Sequence, residues 1–212
     1  MKLYGYWRSS AAYRVRIALH LKAIDFESQS VHLIKDGGQQ HQSDYVSLNP
    51  SHLVPTLVDG DVVLNQSMAI LDYLEALYKQ APLYPENIID KAKVQALALD
   101  IACEIHPVNN LRVQQYLVNE LGVTDQQKLA WVHHWMDLGF TSIEKQLASS
   151  AGQYCFGDQL TIADICLVPQ VYNALRFGLN MSKYPLIDRI CKRCNMIDAF
   201  IKALPENQED AQ

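Results

Sequence analysis

The residues best placed to do chemistry lie at predicted helix starts and strand entries in the first part of the chain. Ser9-Ser10 stands between a short aromatic, β-prone run, Lys2 to Trp7, and a helical pattern in which Val15, Ala18 and Leu19 share a face. A helix N-terminus offers unpaired N–H groups and the positive end of the dipole, and so favours anions. A hydroxyl placed there can also donate to a thiolate. Gln66-Ser67 opens another helical run and offers an amide, a hydroxyl and helix-terminal N–H groups, a set suited to a carboxylate. Val54-Pro55 lies directly before a strand-like run. With a cis bond there, the Val54 backbone N–H and C=O would face outward and pair with an extended peptide as an added strand does. Taken singly, both serine sites read as plain caps, and Val54-Pro55 reads as a trans proline opening an edge strand. Taken together they describe a site for a small anionic peptide carrying a thiol. Gln66-Ser67 would take its carboxylate, Val54 its backbone and Ser9 its sulfur.

These stretches must be brought together by the elements around them. Phe26 to Leu33 reads as a second strand, and Asp36-Gly37-Gly38 breaks the pattern into a loop. Ser43 to Leu48 predicts a short helix stopped by Asn49-Pro50. Thr56-Leu57-Val58 and Val62-Val63-Leu64 flank Asp59-Gly60, a tight-hairpin signal. The helix from Ser67 carries Ile70, Leu71, Leu74, Leu77 and Tyr78 as an apolar face. The order implies an α/β layer with a small mixed sheet. Ala81-Pro82-Leu83-Tyr84-Pro85 reads as a linker. Beyond it only helical patterns follow, over Asp90–Ile105 and Asp125–Leu147 and after Thr161-Ile162-Ala163-Asp164. In that last segment Thr161 would cap a helix and Asp164 reach back to its N–H. We therefore expect an α/β domain over residues 1–81 and an all-helical domain over 86–212, with Glu206 to Gln212 frayed.

Composition excludes several classes. Hydrophobic residues make up 49% and charged residues 19%, the balance of a globular chain and not of a disordered or fibrous one. A net charge of −5 argues against a general nucleic-acid partner. No apolar run reaches bilayer length, so no membrane partner is expected. The start, Met1 to Arg8, lacks the apolar core and cleavage site of a secretion signal, which points to the cytoplasm. Five cysteines, at 103, 155, 166, 191 and 194, read as free buried thiols. Cys191-Lys192-Arg193-Cys194 has no second pair or histidine at zinc spacing, so no metal is expected. His133 and His134 are adjacent and face different sides of a helix, which makes chelation of one metal difficult. Trp131 and Trp135 read as packing or interface residues.

The segment Ser9-Ser10-Ala11-Ala12-Tyr13-Arg14-Val15-Arg16-Ile17-Ala18-Leu19 resembles the signature of the zeta class of glutathione transferases. So do Asp36-Gly37-Gly38-Gln39-Gln40, Val54-Pro55-Thr56-Leu57, Gln66-Ser67-Met68-Ala69-Ile70, Gly157 to Asp164 and Asn173-Ala174-Leu175-Arg176-Phe177. The resemblance covers nearly the whole chain apart from the tail. It implies a thioredoxin-like N-terminal domain followed by an all-helical domain, with glutathione as cofactor. By that similarity Ser9 holds the glutathione sulfur as thiolate and Ser10 supports the same helix-terminal site. Ala11 stands where the signature has a cysteine. Gln40, Val54, Pro55, Gln66 and Ser67 match positions that bind the glutathione backbone and its γ-glutamyl end. His106 falls where the family usually has glutamine, and Asn110, Leu111 and Arg112 align with a neighbouring contact segment. Arg176 matches an arginine that holds a substrate carboxylate. Arg8 and Arg14 are further candidates for the cationic pocket, since a guanidinium grips a carboxylate with two parallel bonds.

The implied reaction is glutathione-dependent cis–trans isomerisation of maleylacetoacetate to fumarylacetoacetate, in tyrosine and phenylalanine catabolism. The thiolate adds to the double bond, the resulting single bond rotates, and elimination restores glutathione. The partners implied are a small dianionic substrate and a second copy of the chain in a homodimer. Replacement of the signature cysteine by Ala11 leaves this route intact, because the nucleophile belongs to glutathione. Conjugation or dehalogenation of small α-halo acids on the same site is the alternative, with a non-catalytic interaction protein on the same fold behind it.

Overall fold

A computed structural model describes the whole chain, Met1–Gln212. It divides into two compact units. The first joins Met1–Pro82 to the C-terminal segment Met196–Gln212, and the second is Leu83–Asn195. The C-terminal segment thus packs with the first unit, not with the helices that precede it in sequence.

In the first unit, strand β1 (Lys2–Gly5) runs into helix α1 (Ser10–Leu21) and returns as β2 (Glu27–Ser30), parallel to β1. After a short helix α2 (Ser43–Leu48), β3 (Thr56–Asp59) and β4 (Val62–Asn65) form a hairpin, and β3 lies antiparallel to β1. The sheet order is β2-β1-β3-β4, so the strand that follows Pro55 is an interior strand and not an edge. Leu3 lies opposite Leu57, and both are buried. Helix α3 (Ser67–Leu77) and the C-terminal helix α9 (Asp198–Ala203) both pack on α1. Burial of α1 is continuous from Ser10 to Leu19 and takes in Arg14 and Arg16 as well as the apolar residues. The helix comes close to the end of β1. A side chain at Gly5 would place its Cβ 3.2 Å from that of Ala12.

Lys22, just past α1, is fully buried. Its ammonium lies 2.7 Å from a Glu75 carboxylate oxygen and within 3.2 Å of the Tyr78, Gln80 and Ala81 carbonyls. A buried charge is tolerated when it is surrounded by acceptors in this way. The contact fixes the end of α3 and the chain that leaves the unit.

The second unit is helical, as its sequence implies. Its helices are α4 (Ile88–Leu99), α5 (Leu111–Asn119), α6 (Asp125–Ser150), α7 (Ile162–Arg176) and α8 (Pro185–Cys194). A π-helical turn, Asp100–Ile105, continues α4. Helix α7 is the hub: it is buried from Ile162 to Val171 and packs on α4 and α8. Asp164 is fully buried at its start and accepts from the N–H groups of Cys155 and Thr161, both at 2.8 Å, and from the Thr161 hydroxyl at 3.0 Å. This is the reach-back that the sequence predicts. Burial nevertheless pushes the Asp164 carboxyl above the ordinary aspartate range, against the pull of those bonds.

All five cysteines are free, but Cys103 is exposed rather than buried. Burial pushes the Cys155, Cys191 and Cys194 thiols well up, with the Asp164 charge adding to the effect. Cys191 and Cys194 of the CxxC are both buried, and thiols raised by burial are poor nucleophiles. No group of three or more His, Cys, Asp or Glu side chains is placed to hold a metal ion. No helix is long and apolar enough to cross a membrane.

Candidate active site

In the first unit the candidate residues cluster around the N-termini of α1 and α3 and the loop before β3. After Gly5 the chain turns through Tyr6-Trp7-Arg8-Ser9, closed by the Ser9 N–H on the Tyr6 carbonyl at 2.9 Å. Ser9 is the N-cap of α1, and its Oγ accepts from the Ala12 N–H at 3.2 Å. A hydroxyl that accepts in this way still has its own proton to donate. Ser9 is half-buried, whereas Ser10 and Ala11 are buried. Of the two serines, Ser9 therefore has the geometry of an accessible donor. Arg8 is held by stacking: its guanidinium carbon lies 4.7 Å from the Trp7 ring centroid and 5.8 Å from that of Tyr6, and one nitrogen donates to the Tyr6 hydroxyl at 3.1 Å.

Ser67 is buried at the first position of α3, and its Oγ accepts from the Arg14 guanidinium at 3.3 Å. Arg14 is itself only 1% exposed. It stands behind Ser67 instead of lining an open cationic pocket, so its effect on a bound group runs through that hydroxyl. Gln66, the N-cap of α3, is exposed and takes φ 71° and ψ 117°. A non-glycine residue held at positive φ is strained, and such residues concentrate where a ligand is clamped.

Val54 is half-buried and precedes a cis bond to Pro55, which is buried. The carbonyl before it, that of Leu53, accepts from the Tyr45 hydroxyl and from the Asn49 amide at 2.7 Å. Gln40 is buried in the loop after β2, and its amide nitrogen donates to the Leu33 carbonyl at 3.3 Å and to His41 Nε2 at 3.1 Å. His41 Nδ1 in turn meets His52 Nδ1 at 3.1 Å. An amide nitrogen can only donate, so in this contact His41 accepts at Nε2. Gly38, at φ 95°, makes this possible, since a Cβ there would fall 2.6 Å from the Gln40 amide nitrogen. Gly38 is thus a seat for Gln40, and a bond chain ties the Gln40 loop to the loop that carries Val54.

In the second unit, His106, Asn110, Leu111 and Arg112 lie on one segment between the π-helical turn and α5. Asn110 caps α5 by accepting from the Arg112 N–H at 3.2 Å, and Arg112 is exposed. Buried Asn109 braces the segment by donating to the Ile105 carbonyl at 3.1 Å. Arg176 ends α7, where a cation suits the negative end of the helix, with its guanidinium carbon 5.0 Å from the Phe177 ring centroid. Helix α6 supports both places: Trp131 Nε1 donates to the Val108 carbonyl at 2.8 Å, and His133 Nε2 bonds the Phe177 carbonyl at 2.7 Å. Trp131 and Trp135 meet edge to face. Sequence reasoning did not find the roles of His41, His52, Asn109 or His133, because their partners lie on segments whose proximity no local pattern reveals.

Comparison with known proteins fits this geometry. The family description "Glutathione S-transferase, N-terminal domain" matches residues 8–77, and "Glutathione S-transferase, C-terminal domain" matches residues 113–205. The chain is 54% identical over 209 residues to a probable maleylacetoacetate isomerase of Vibrio cholerae, covering 99% of this chain and 97% of that protein. Among solved structures, a holo maleyl pyruvate isomerase, described as a bacterial glutathione S-transferase in the zeta class, matches with a TM-score of 0.97. It is 41% identical, and 100% of each chain is covered. A maleylacetoacetate isomerase from Methylobacterium extorquens AM1, with malonate and GSH bound, matches at a TM-score of 0.96 and 38% identity, again over 100% of both chains. This chain belongs to the glutathione S-transferase family, in its zeta class. Its small mixed sheet and separate helical unit are the thioredoxin-like and all-helical parts of that architecture.

Proposed function

We infer that this protein is a glutathione-dependent cis–trans isomerase that converts maleylacetoacetate to fumarylacetoacetate. The observation that carries this reading is full-length similarity to isomerases of maleyl substrates, at 54% identity in one case. The residues present suit glutathione. Ser9 keeps a proton to donate beside a helix N-terminus, Ser67 and Gln66 meet at the start of α3, and Gln40 is seated near the Val54 loop.

What the cofactor supplies when bound is a sulfur nucleophile, which is added to the double bond and later lost, with rotation between. The chain's own contribution is electrostatic. Ser9 donates its O–H to the sulfur, and the α1 N-terminus adds its dipole to the same anion. A free thiol has a pKa of about 8.5, and each unit of lowering needs about 1.4 kcal/mol, within reach of these two effects. Ser67, oriented by Arg14, and the Gln66 amide take the γ-glutamyl end. Gln40 and the Val54 backbone hold the extended middle, with Ser10, Ala11 and Pro55 forming the walls. The family resemblance also assigns cofactor contacts to His106, Asn110, Leu111 and Arg112. By the family resemblance Arg176 takes a carboxylate of a dianionic substrate, and Arg8 is a further candidate for that charge. Malonate, bound in the Methylobacterium extorquens relative, is a dianion of that kind. A cytoplasmic homodimer acting in tyrosine and phenylalanine catabolism completes the proposal, and light scattering tests its oligomeric state.

The decisive test is isomerisation of maleylacetoacetate with and without glutathione, in wild type and Ser9→Ala. Glutathione-dependent turnover that drops in the variant is expected. Folded protein that binds glutathione but does not turn over would overturn the reading in favour of conjugation or dehalogenation of small α-halo acids.

A further inference from the structure

The polar tail, expected to be frayed, is built into the first unit. Asn207 donates to the Ile201 carbonyl at 2.7 Å, and Gln208 donates to those of Lys202 and Leu204 at 2.9 and 2.8 Å. These amides cover the open carbonyls at the end of α9 and turn the tail back along the helix. The tail then delivers Asp210 to the end of the β1–β2 ladder. One carboxylate oxygen of Asp210 accepts from the Trp7 backbone N–H at 3.1 Å and from the Ser30 hydroxyl at 2.9 Å. Ser30 is the last residue of β2, paired with Gly5, so Asp210 sits where the ladder stops and the turn toward Ser9 begins.

The carbonyl of Trp7 is held from the same side. It accepts from Arg16 Nη2 at 3.0 Å, and Arg16 Nε donates to the Ala203 carbonyl, on α9, at 3.1 Å. Both backbone groups of Trp7 are thereby tied to the C-terminal segment, one directly and one through buried Arg16. Trp7 is a central residue of the Tyr6–Ser9 turn, which aims Ser9 and Arg8. We propose that Asp210 is a positioning residue for Ser9, and that the C-terminal tail is a strap holding the turn that presents the Ser9 hydroxyl. The inference rests on the reading of Ser9 given above.

The test compares wild type, Asp210→Ala, Asp210→Glu, Asp210→Asn, Ser30→Ala and Ser9→Ala. Each is assayed for kcat, for KM toward glutathione, and for the pKa of the bound glutathione thiol, read from thiolate absorbance. Small displacements of a reacting group are costly, so Asp210→Ala should lower kcat/KM about tenfold and raise the thiol pKa. Asp210→Glu, which moves the carboxylate by one methylene, should show a smaller loss and keeps the test open if the alanine variant does not fold. Asp210→Asn retains an acceptor of the same size and should restore wild-type behaviour, and Ser30→Ala, which removes one donor to Asp210 but keeps the Trp7 bond, should show a smaller loss than Asp210→Ala. Wild-type thiol pKa and turnover in Asp210→Ala or Asp210→Glu would overturn the proposal. Equal losses in all Asp210 and Ser30 variants would also overturn it, by assigning the effect to general stability. A bound-thiol pKa unaffected by Ser9→Ala would instead overturn the underlying reading of Ser9.

Discussion

The starts of α1 and α7 use the same device for opposite ends. Each has a hydroxyl residue at the cap position, Ser9 in one and Thr161 in the other. At α7 the cap is sealed: Thr161 and Asp164 are both fully buried, and Asp164 takes three donors from its own unit. At α1 the cap is half-buried, and the serine accepts one bond while its own proton is left for another partner. A helix end that is closed on itself stabilises a fold, whereas one left partly open can stabilise an external anion. Burial, and not the identity of the capping residue, separates the two roles.

This contrast can be broken by substitution. The largest effect should come from Asp164→Ala, which strands two buried N–H groups and should cost about 3–5 kcal/mol of stability in chemical denaturation. Any activity that remains should scale with the folded fraction. Ser9→Ala should do the reverse, with about a hundredfold loss of kcat/KM from removing one donor to a reactive anion and a loss of only about 1 kcal/mol in stability. Ser9→Asp sharpens the point, because aspartate caps a helix well yet places a negative charge beside the thiolate. It should melt at or above the wild-type temperature and be inactive.

Gln66→Gly tests the strained cap of α3. Relief of the positive φ should hold or raise stability by about 1 kcal/mol, while loss of the amide should raise KM for glutathione about tenfold. The smallest effect is one of pH and belongs to the helical unit alone. Burial first, and then its bond to Asp137, push the Tyr184 phenol up to about 12 from 10.0. The native state keeps that proton where the unfolded chain loses it. The associated stability is therefore complete below about pH 10 and lost as pH rises through about 12. Phenol absorbance should follow this window, and Asp137→Ala should move it downward.

Much of the fold was legible because its signals are local. Asp59-Gly60 marks the hairpin, Asn49-Pro50 stops α2, and Thr161 to Asp164 announces α7. The first two strands are shorter than their sequence patterns: Lys2 to Trp7 contains only Lys2–Gly5 as strand, and Phe26 to Leu33 only Glu27–Ser30. Pairing between strands sets those lengths, and pairing is a non-local property. The domain boundary had a similar limit. The two prolines near residue 82 mark where the first unit is left, but no pattern in Met196–Gln212 shows that the chain comes back to it.

By itself, the sequence determined the chemical types at the site and the helix ends that carry them, because capping and turn preferences depend on neighbouring residues. It also determined the family, through motifs spread along nearly the whole chain. Only the tertiary structure decided which arginine is reachable and which is buried behind Ser67, that Gln40 rests on Gly38, and that a carboxylate in a polar tail closes on Trp7. Those outcomes depend on burial and on contacts between residues far apart in sequence. Such contacts form only where the fold brings the partners within hydrogen-bonding distance and removes the competing water.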